Sequence, residues 1–289
     1  MGKPEQAIVI GPKHDIYMNK VSKVSSETRG HAYFHPSSFG ECLRKVAFEY
    51  YSEIDPWFKV PDEIEPRLQR LFQAGHNFHD RMQSEFADMG VLRGYWKSKI
   101  TGKIYGKESK TGIFRPKTLE EIGEEKYKHP DDKRPISNLF EYQEIQVFDE
   151  EANFRGHCDG VVELIEGDPE FTFVVDFKTI NEDKFKMLKE PDPKYVVQIT
   201  IYMEILGLDK GVIYYEDKNR HERKEFLVLK DKEIAEEIFS NARKLKGLLD
   251  LKKIPPIPSQ FSEDRPPCRW CKYAEKCKFL SEKSKNRKK

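Results

Sequence analysis

The sequence lacks any long hydrophobic run, and this absence limits where the protein can act. A helix that crosses a bilayer needs roughly 18 to 20 consecutive apolar residues, and no segment of the chain approaches that length. The apolar stretch near the N-terminus is also too short for a secretory signal. We therefore expect a protein that makes no use of membranes and is cytoplasmic.

The chain also has little net charge and an odd number of cysteines. Its formal net charge is only +1, so overall charge neither indicates nor excludes a nucleic acid partner. Hydrophobic residues make up 37% and aromatic residues 12%, which is enough for a packed core. Three of the five cysteines lie between residues 268 and 277. In a reducing compartment such crowding indicates metal or cluster ligation rather than disulfides.

Apolar spacing predicts an alternation of helices and strands. Helical periodicity occurs near residues 37–50, where Ser37 and Ser38 offer N-caps, and at 66–86, 192–207 and 234–248. Strand-like runs occur at residues 139–148, 154–165, 171–178 and, as a pair joined by a polar turn, 211–229. This order predicts an α/β fold with a mixed central β-sheet flanked by helices.

The same patterns predict how the chain is organised. Residues 1–36 show weak periodicity, which indicates an irregular leader before a single domain at 37–289. Within that domain, residues 91–138 are rich in Lys, Gly and Glu and poor in periodic apolar residues, so we expect an insertion there.

The run FTFVVDFK at residues 171–178 ends in a carboxylate and an amine that share one face. Side chains two residues apart in a strand project together, as do those of Asp176 and Lys178. An aspartate at the end of an apolar strand is costly to bury unless a cation or a lysine compensates its charge. An isolated Asp-x-Lys is more often a solvated pair, so this spacing alone decides nothing.

A second carboxylate lies upstream, in the sequence Gly156-His-Cys-Asp159-Gly. Asp159 stands at the start of an apolar strand, and Asp176 would lie on a neighbouring one. Mg²⁺ and Mn²⁺ prefer oxygen ligands, often one or two carboxylates with substrate phosphate. The carbonyl of Phe177 could add another oxygen. The alternative is that both aspartates simply belong to turns.

Two helices supply further polar side chains at helical spacing. His79 lies on the apolar stripe of its helix, and such an inward histidine is usually a satisfied core residue. Together with two strand-end aspartates it becomes a candidate nitrogen ligand for Mn²⁺. Gln198 and Tyr202 stand four residues apart on one helical face and could orient a phosphate or a water.

The four motifs together resemble the RecB-like branch of the PD-(D/E)XK nucleases over roughly residues 37–215. They are Gly75-x-x-x-His79, Gly156-x-x-Asp159, Asp176-x-Lys178 and Gln198-x-x-x-Tyr202. The resemblance implies a divalent metal bound by His79, Asp159 and Asp176. It implies that Lys178 holds or polarises the attacking water, with Gln198 and Tyr202 completing the site. Glu144, on the preceding strand, is a further acidic candidate.

This site would fit phosphodiester hydrolysis on physical grounds. The reaction needs a hydroxide nucleophile near neutral pH and relief of charge on the phosphoryl oxygens, and a bound Mg²⁺ or Mn²⁺ supplies both. The positive charge of Lys178 would favour the hydroxide further. The sequence does not distinguish one metal from two.

The C-terminal cysteines form a second constellation. Cys268, Cys271 and Cys277 have the spacing C-x2-C-x5-C, and Cys42 is the candidate for a fourth ligand. Cys158 is a poor candidate because it belongs to the strand motif of Asp159. Four thiolates suit either zinc or a [4Fe–4S] cluster, and spacing leaves both open.

The cysteine pattern also resembles that of iron–sulfur nucleases of the same branch. These include CRISPR-adaptation exonucleases, the AddB nuclease domain and viral exonucleases. The resemblance implies a structural [4Fe–4S] cluster, rather than zinc, held by the segment 265–279 and closed by Cys42.

Basic and aromatic residues around this segment are candidates for contact with single-stranded DNA. They are Arg269, Trp270, Lys272 and Tyr273. Alternatively, they only cover the cluster. The insertion at 91–138 could guide DNA or bind a partner protein.

We expect a DNA exonuclease that acts on single strands or duplex ends, in recombination, repair, viral replication or CRISPR adaptation. The alternatives are a non-cleaving DNA-end-binding or assembly subunit that keeps the fold, and a restriction-type endonuclease of the same superfamily. The complete set of site residues favours an enzyme. Cleavage polarity, strand preference and oligomeric state stay open.

Overall fold

A computed structural model describes residues 13–18, 32–60, 65–106, 117–126, 135–257 and 268–286. The chain divides into two compact units, one made of residues 33–47 and 78–257 and the other of 1–32, 48–77 and 258–289. Among the described helices, none combines the length and the apolar character that crossing a bilayer would require. Most of the predicted leader, and residues 107–116 and 127–134 of the predicted insertion, lie outside the described residues.

The strands are short except near the predicted site. They are β1 (Leu92–Arg93), β2 (Tyr95–Ser98), β3 (Ile104–Tyr105), β4 (Phe140–Gln143), β5 (Ile145–Asp149), β6 (Phe154–Cys158), β7 (Gly160–Glu163), β8 (Thr172–Ile180), β9 (Lys210–Asp217) and β10 (Arg223–Leu229). The helices are α1 (Pro36–Phe39), α2 (Leu43–Tyr51), α3 (Pro66–Asp88), α4 (Leu119–Lys126), α5 (Glu182–Met187), α6 (Pro193–Leu206), α7 (Lys232–Asp250) and α8 (Ala274–Asn286).

The central sheet is mixed and has the strand order β1-β7-β8-β9-β10. Strands β8 and β9 are parallel, and the other three pairs are antiparallel. A three-stranded sheet, β3-β2-β4, and the pair β5-β6 complete the β-structure of the described residues. The predicted α/β class, with a mixed central sheet flanked by helices, is confirmed.

The two faces of β8 and β9 pack against different helices. Phe177 and Tyr214 pack in an apolar cluster with Phe78 and Met82 of α3. The alternate residues, among them Val174 and Ile213, pack in a second cluster with α6. Because side chains alternate along a strand, Asp176 and Lys178 lie on the α6 side of β8.

Helix α6 begins and ends with well-defined caps. The side chain of Asp192 accepts a hydrogen bond from the N–H of Lys194, Pro193 opens the first turn, and Gly207 ends the helix with φ of 67°. The predicted helix at 192–207 is thus confirmed, and the middle of its length, including Gln198 and Tyr202, is buried.

The prediction of one helix across residues 37–50 is wrong. The chain forms α1, with His35 rather than Ser37 or Ser38 at the N-cap position, and then α2 after a break at Gly40. A Cβ atom at Gly40 would lie 2.7 Å from the Cα and the carbonyl oxygen of Lys194. The break therefore occurs where the backbone comes close to the start of α6.

In the other unit, α8 and the residue directly before it contact residues 48–60. The ring of Tyr273 packs edge-on against Phe48, with centroids 5.4 Å apart. The ammonium of Lys276 donates to the carbonyl oxygen of Trp57 and lies 5.0 Å from the centroid of its ring. These contacts fix the segment that contains the three C-terminal cysteines within this unit.

Candidate active site

The end of β8 presents a buried carboxylate whose two oxygens have different surroundings. Asp176 is fully buried. Its Oδ1 accepts hydrogen bonds from Lys178 Nζ at 2.8 Å and from Gln198 Nε2 at 3.0 Å. Its Oδ2 has no hydrogen-bond partner among the described residues. Since a buried, unpaired carboxylate oxygen is costly, the arrangement leaves one oxygen available to a cation.

Asp159 lies between β6 and β7 and joins β8 to α3. Its Oδ2 accepts a hydrogen bond from the N–H of Phe177 at 2.7 Å. Its Oδ1 lies 3.3 Å from Nδ1 of His79. The carbonyl of Phe177, a predicted oxygen ligand, stays a prediction.

A third group completes a set of metal-ligand atoms. One ligand atom from each of His79, Glu144 and Asp159 lies within 4.8 Å of the other two. Glu144 follows β4 directly and is outside both β4 and β5. The sequence thus brings together three residues that are separated by up to 80 positions in the chain.

Gln83, which sequence reasoning missed, connects these groups to α3. Its side chain is buried, and Nε2 donates to the carbonyl oxygen of Asp159 at 3.0 Å and to Glu144 at 3.4 Å. Gln83 stands four residues after His79, so both side chains lie on one face of the helix. That spacing was the signal in the sequence that could have identified it.

Tyr202 lies next to both Gln198 and Gly156. The hydroxyl of Tyr202 donates to the carbonyl oxygen of His157 at 2.9 Å and accepts from Gln198 Nε2 at 3.2 Å. A Cβ atom at Gly156 would lie 2.9 Å from Pro36 Cδ and 3.8 Å from the Tyr202 hydroxyl. The glycine of this motif therefore permits the close approach of α1 to β6.

The two aspartates have opposite pKa shifts. Burial raises the pKa of Asp176 to about 6, although Lys178 partly offsets this effect. Burial acts on Asp159 in the same way, but the hydrogen bond and charge of His79 outweigh it and lower the pKa of Asp159. The difference follows from their partners, because only Asp159 has the imidazole beside it.

The neighbouring aspartates raise the pKa of both basic groups of the site. Burial would lower the pKa of Lys178, but the charges of Asp176 and Asp159 raise it to about 12. For His79 burial again acts to lower the pKa, and the hydrogen bond with Asp159 raises it overall. Lys178 is therefore a cation at neutral pH and not a proton acceptor.

The residues present fit a hard divalent cation. They offer carboxylate oxygens from three side chains and one imidazole nitrogen, which are ligands that Mg²⁺ and Mn²⁺ accept. The Oδ2 atom of Asp176, without a donor among the described residues, is the observation that supports the fit.

A sequence profile of the PD-(D/E)XK nuclease superfamily matches residues 33–278. This chain belongs to that superfamily. It is thus a nuclease of a superfamily that uses divalent metals, and its His79, Glu144 and Asp159 lie where a metal site can form. No curated protein matches the sequence significantly.

Several solved structures are similar to this nuclease at low identity. The crystal structure of SSO0001 is 14% identical, with a TM-score of 0.45, over 93% of this chain and 95% of that one. An alkaline exonuclease from Laribacter hongkongensis is 16% identical, with a TM-score of 0.32, over 38% and 57% of the two chains. Its complex with dAMP is 14% identical, with a TM-score of 0.33, over 76% and 89%.

Tyr195 is a second residue of the nuclease that sequence reasoning missed. Its ring centroid lies 4.6 Å from Lys178 Nζ and 4.8 Å from Lys194 Nζ. The ring also packs against Tyr215, with centroids 6.3 Å apart. Lys178 is thus held between the carboxylate of Asp176 and an aromatic face.

The predicted DNA-contact residues near the C-terminus differ in exposure. Arg269 and Lys272 are exposed, and Trp270 is 76% exposed. Tyr273 is only 2% exposed, because its ring packs against Phe48. The contact of Tyr273 with DNA stays a prediction, and it would require the ring to leave its packing against Phe48.

The cysteines also differ in their surroundings. Cys158 is fully buried on β6, and its Sγ donates to the carbonyl oxygen of Gly160 at 3.6 Å. Burial raises the pKa of Cys158 well above its ordinary value, which disfavours the thiolate that a metal needs. The four predicted cluster ligands, Cys42, Cys268, Cys271 and Cys277, are half-buried.

Proposed function

We propose that this nuclease is a metal-dependent DNA exonuclease that acts on single strands or duplex ends. The observation that carries the proposal is the completeness of the site. His79, Glu144 and Asp159 bring their ligand atoms within 4.8 Å of one another, and Asp176 offers a buried oxygen beside Lys178. The DNA substrate and the exonuclease mode are supported by the resemblance of the four motifs to the RecB-like branch.

Each side chain would have a distinct role. His79, Asp159 and Asp176, with Glu144 as a further oxygen donor, would hold Mg²⁺ or Mn²⁺. The ion would supply a water of lowered pKa and charge neutralisation at the phosphoryl oxygens. Lys178, cationic at neutral pH, would orient the attacking water and favour its hydroxide form.

Gln198 and Tyr202 would act through Asp176. Gln198 donates to Asp176 Oδ1 and to the hydroxyl of Tyr202, which in turn is bound to the backbone at His157. This chain of hydrogen bonds restrains Asp176 from the α6 side. Its Oδ2 would then keep a fixed direction towards the metal.

The alternative, a non-cleaving DNA-end-binding or assembly subunit, predicts that some residues of the metal site are missing. Such a subunit has no need of a buried carboxylate with an unpaired oxygen, which costs stability. In this chain both aspartates, the histidine and the lysine are present and close together. The geometry therefore favours the enzyme.

End-labelled single-stranded and duplex DNA, with Mg²⁺, Mn²⁺ or EDTA, tests the proposal. We expect mononucleotides or short oligonucleotides released from ends, no cleavage of circular DNA and no activity in EDTA. Asp176→Ala should abolish cleavage and keep DNA binding. Asp250→Ala, an exposed aspartate at the end of α7, should behave as the wild type. Cleavage in EDTA, or near-normal activity of Asp176→Ala, would refute the proposed site, and cleaved circles would show an endonuclease.

We also propose that Cys42, Cys268, Cys271 and Cys277 hold a [4Fe–4S] cluster. The support is the spacing of the cysteines and the exclusion of Cys158 by its burial. In addition, Arg44, two residues after Cys42, donates to the carbonyl oxygen of Pro255 at 2.7 Å. The chain thus returns to α2 shortly before the C-terminal cysteines.

Iron analysis of anaerobically purified protein tests the cluster. We expect brown protein with a broad visible absorbance and about four irons per chain. Cys42→Ala should lose iron as fully as Cys268→Ala, whereas Cys158→Ala, the matched control, should keep it. Colourless protein with zinc would refute the cluster, and full iron content in Cys42→Ala would show that the fourth ligand is another residue.

A further inference from the structure

The turn between β9 and β10 carries a group of exposed basic side chains. We call residues 218–223 the basic turn, and its exposed side chains include those of Lys218, Arg220, His221 and Arg223. One acidic residue, Glu222, lies among them. Two glutamates outside the turn also compensate part of its charge, since Arg220 Nε lies 3.1 Å from Glu182 and Arg223 Nε lies 3.8 Å from Glu225. The segment contains no Phe, Tyr or Trp, so its chemistry is mainly that of charge and hydrogen bonding.

Two buried carboxylates fix the shape of the basic turn. Asp217 is 1% exposed, and its side chain accepts hydrogen bonds from the N–H groups of Asn219 and Arg220, both at 3.1 Å. Its own N–H donates to the carbonyl oxygen of Glu222 at 2.9 Å. The backbone is therefore held in one conformation by the protein itself.

Glu216, also buried, brings two exposed donors together. Its carboxylate lies 2.6 Å from Arg81 Nη2 through both oxygens and 2.8 Å from Nδ1 of His221. Nη1 of Arg81 also donates to Glu85 Oε1 at 3.3 Å, which leaves the remaining N–H donors of the guanidinium and Nε2 of His221 for another ligand. Both side chains are substantially exposed, at 44% and 70%.

The basic turn lies close to the candidate active site. Lys178 of β8 is opposite Tyr215 of the parallel strand β9, and the turn begins three residues later. The N–H of Lys218 donates to the carbonyl oxygen of Ile180 at 2.9 Å. At about 3.3 Å per residue, the turn starts roughly 10 Å beyond Lys178 along the strands. Arg81 approaches from α3, two residues after His79.

We infer that the basic turn and Arg81 bind the phosphate backbone of the nucleic acid on the Lys178 side of the site. Along a duplex, about 10 Å of axis corresponds to three phosphates of one strand, at roughly 3.4 Å per phosphate. Donors that contact phosphates position a strand but do not read its bases. The inference rests on the proposed function and names a substrate contact for it.

Salt-dependent DNA binding tests this surface. In an Asp176→Asn background, which prevents cleavage, a labelled single-stranded 20-mer is titrated at several salt concentrations by fluorescence anisotropy. Lys218→Gln/Arg220→Gln should weaken binding about tenfold at low salt. It should also reduce the slope of log K against log salt by about 1.4, for two lost phosphate contacts. The loss should be similar for oligonucleotides of different sequence.

The matched control removes the same charge at the other end of the β-hairpin. Lys210→Gln/Lys232→Gln alters the beginning of β9 and the beginning of α7, and its affinity and slope should equal those of the parent. If the parent binds and the turn variant has the affinity and slope of the parent, the inference falls and the proposed function stands. Equal weakening in both variants would also overturn the inference, since DNA affinity would then depend on the total charge of the protein and not on the basic turn. A parent that binds no DNA would refute the proposed function itself.

Discussion

The side-chain amide of Gln83 lies 3.0 Å from the carbonyl oxygen of Asp159. This hydrogen bond attaches the loop between β6 and β7 to α3, one helical turn after His79. The same nitrogen reaches Glu144 at 3.4 Å. One buried side chain therefore contacts two candidate metal ligands, Asp159 and Glu144, and lies one helical turn from the third, His79.

Gln83→Leu should weaken metal binding, because Asp159 and Glu144 lose the donor that orients them. Loss of such an orienting contact costs about 10- to 100-fold in metal affinity. We also expect a loss of about 1 to 3 kcal/mol in the free energy of unfolding, since a buried carbonyl loses its partner. Calorimetric titration with Mn²⁺ and urea unfolding measure the two effects. Gln73→Leu, an exposed glutamine on the same helix, should change neither, and wild-type Mn²⁺ affinity in Gln83→Leu would contradict the prediction.

Asp176 should make the metal-free protein less stable as the pH rises. The pKa of Asp176 is about 6 in the folded protein and 3.8 ordinarily, so the folded state binds the extra proton between these values. Stability is therefore lost as the pH rises from about 4 to 6, by up to roughly 3 kcal/mol. Asp176→Asn should lack this contribution.

Urea unfolding in EDTA, at several pH values between 4 and 7, measures the contribution of Asp176 to the free energy of unfolding. The difference in unfolding free energy between wild type and Asp176→Asn isolates this carboxylate from Glu144, whose pKa is also raised. A difference that does not vary with pH would contradict the buried, protonatable state of Asp176.

The sequence predicts the long elements and the motif residues well. The periodicity of α3, α6 and α7 and the alternation of β8 to β10 extend over many residues, so each pattern is distinct. Lys178 and Gln198, predicted to share a site with Asp176, both donate hydrogen bonds to its carboxylate. Their roles in catalysis stay predictions.

The parts that were missed depend on contacts between distant segments. Strands β1 and β3 have two residues each, too few for an alternating pattern to register. The break after α1 follows from the close approach of Gly40 to Lys194, which no local pattern encodes. Gln83 and Tyr195 resemble ordinary helical residues until their partners, Asp159 and Lys178, are located in space.

Tyr195 should matter for turnover rather than for substrate affinity. A partly buried cation–π contact contributes about 1 to 2 kcal/mol, and Lys178 is the cation held 4.6 Å from this ring. Tyr195→Leu should therefore lower kcat by about 5- to 30-fold with little change in KM. Tyr195→Phe keeps the aromatic face and should retain activity within about twofold. Steady-state kinetics on labelled DNA compare them, and an equal loss in both variants would show that the hydroxyl, not the ring, is important.

Two motif glycines should respond in opposite ways to the same substitution. A Cβ atom at Gly156 would meet Pro36 at 2.9 Å, whereas one at Gly75 would have no atom within 4 Å among the described residues. Neither glycine has a positive φ, so alanine brings no backbone strain at either site.

Gly156→Ala should destabilise the fold by about 1 to 3 kcal/mol through crowding and reduce activity, because the displacement reaches Tyr202. Gly75→Ala lies inside α3 and should stabilise it by about 0.5 to 1 kcal/mol, since alanine favours a helix. Thermal unfolding of both variants, with cleavage assayed alongside, decides the matter: a stable Gly156→Ala would contradict the close packing of α1 on β6. A folded but inactive Gly75→Ala would show that the substrate requires the absence of a side chain at position 75.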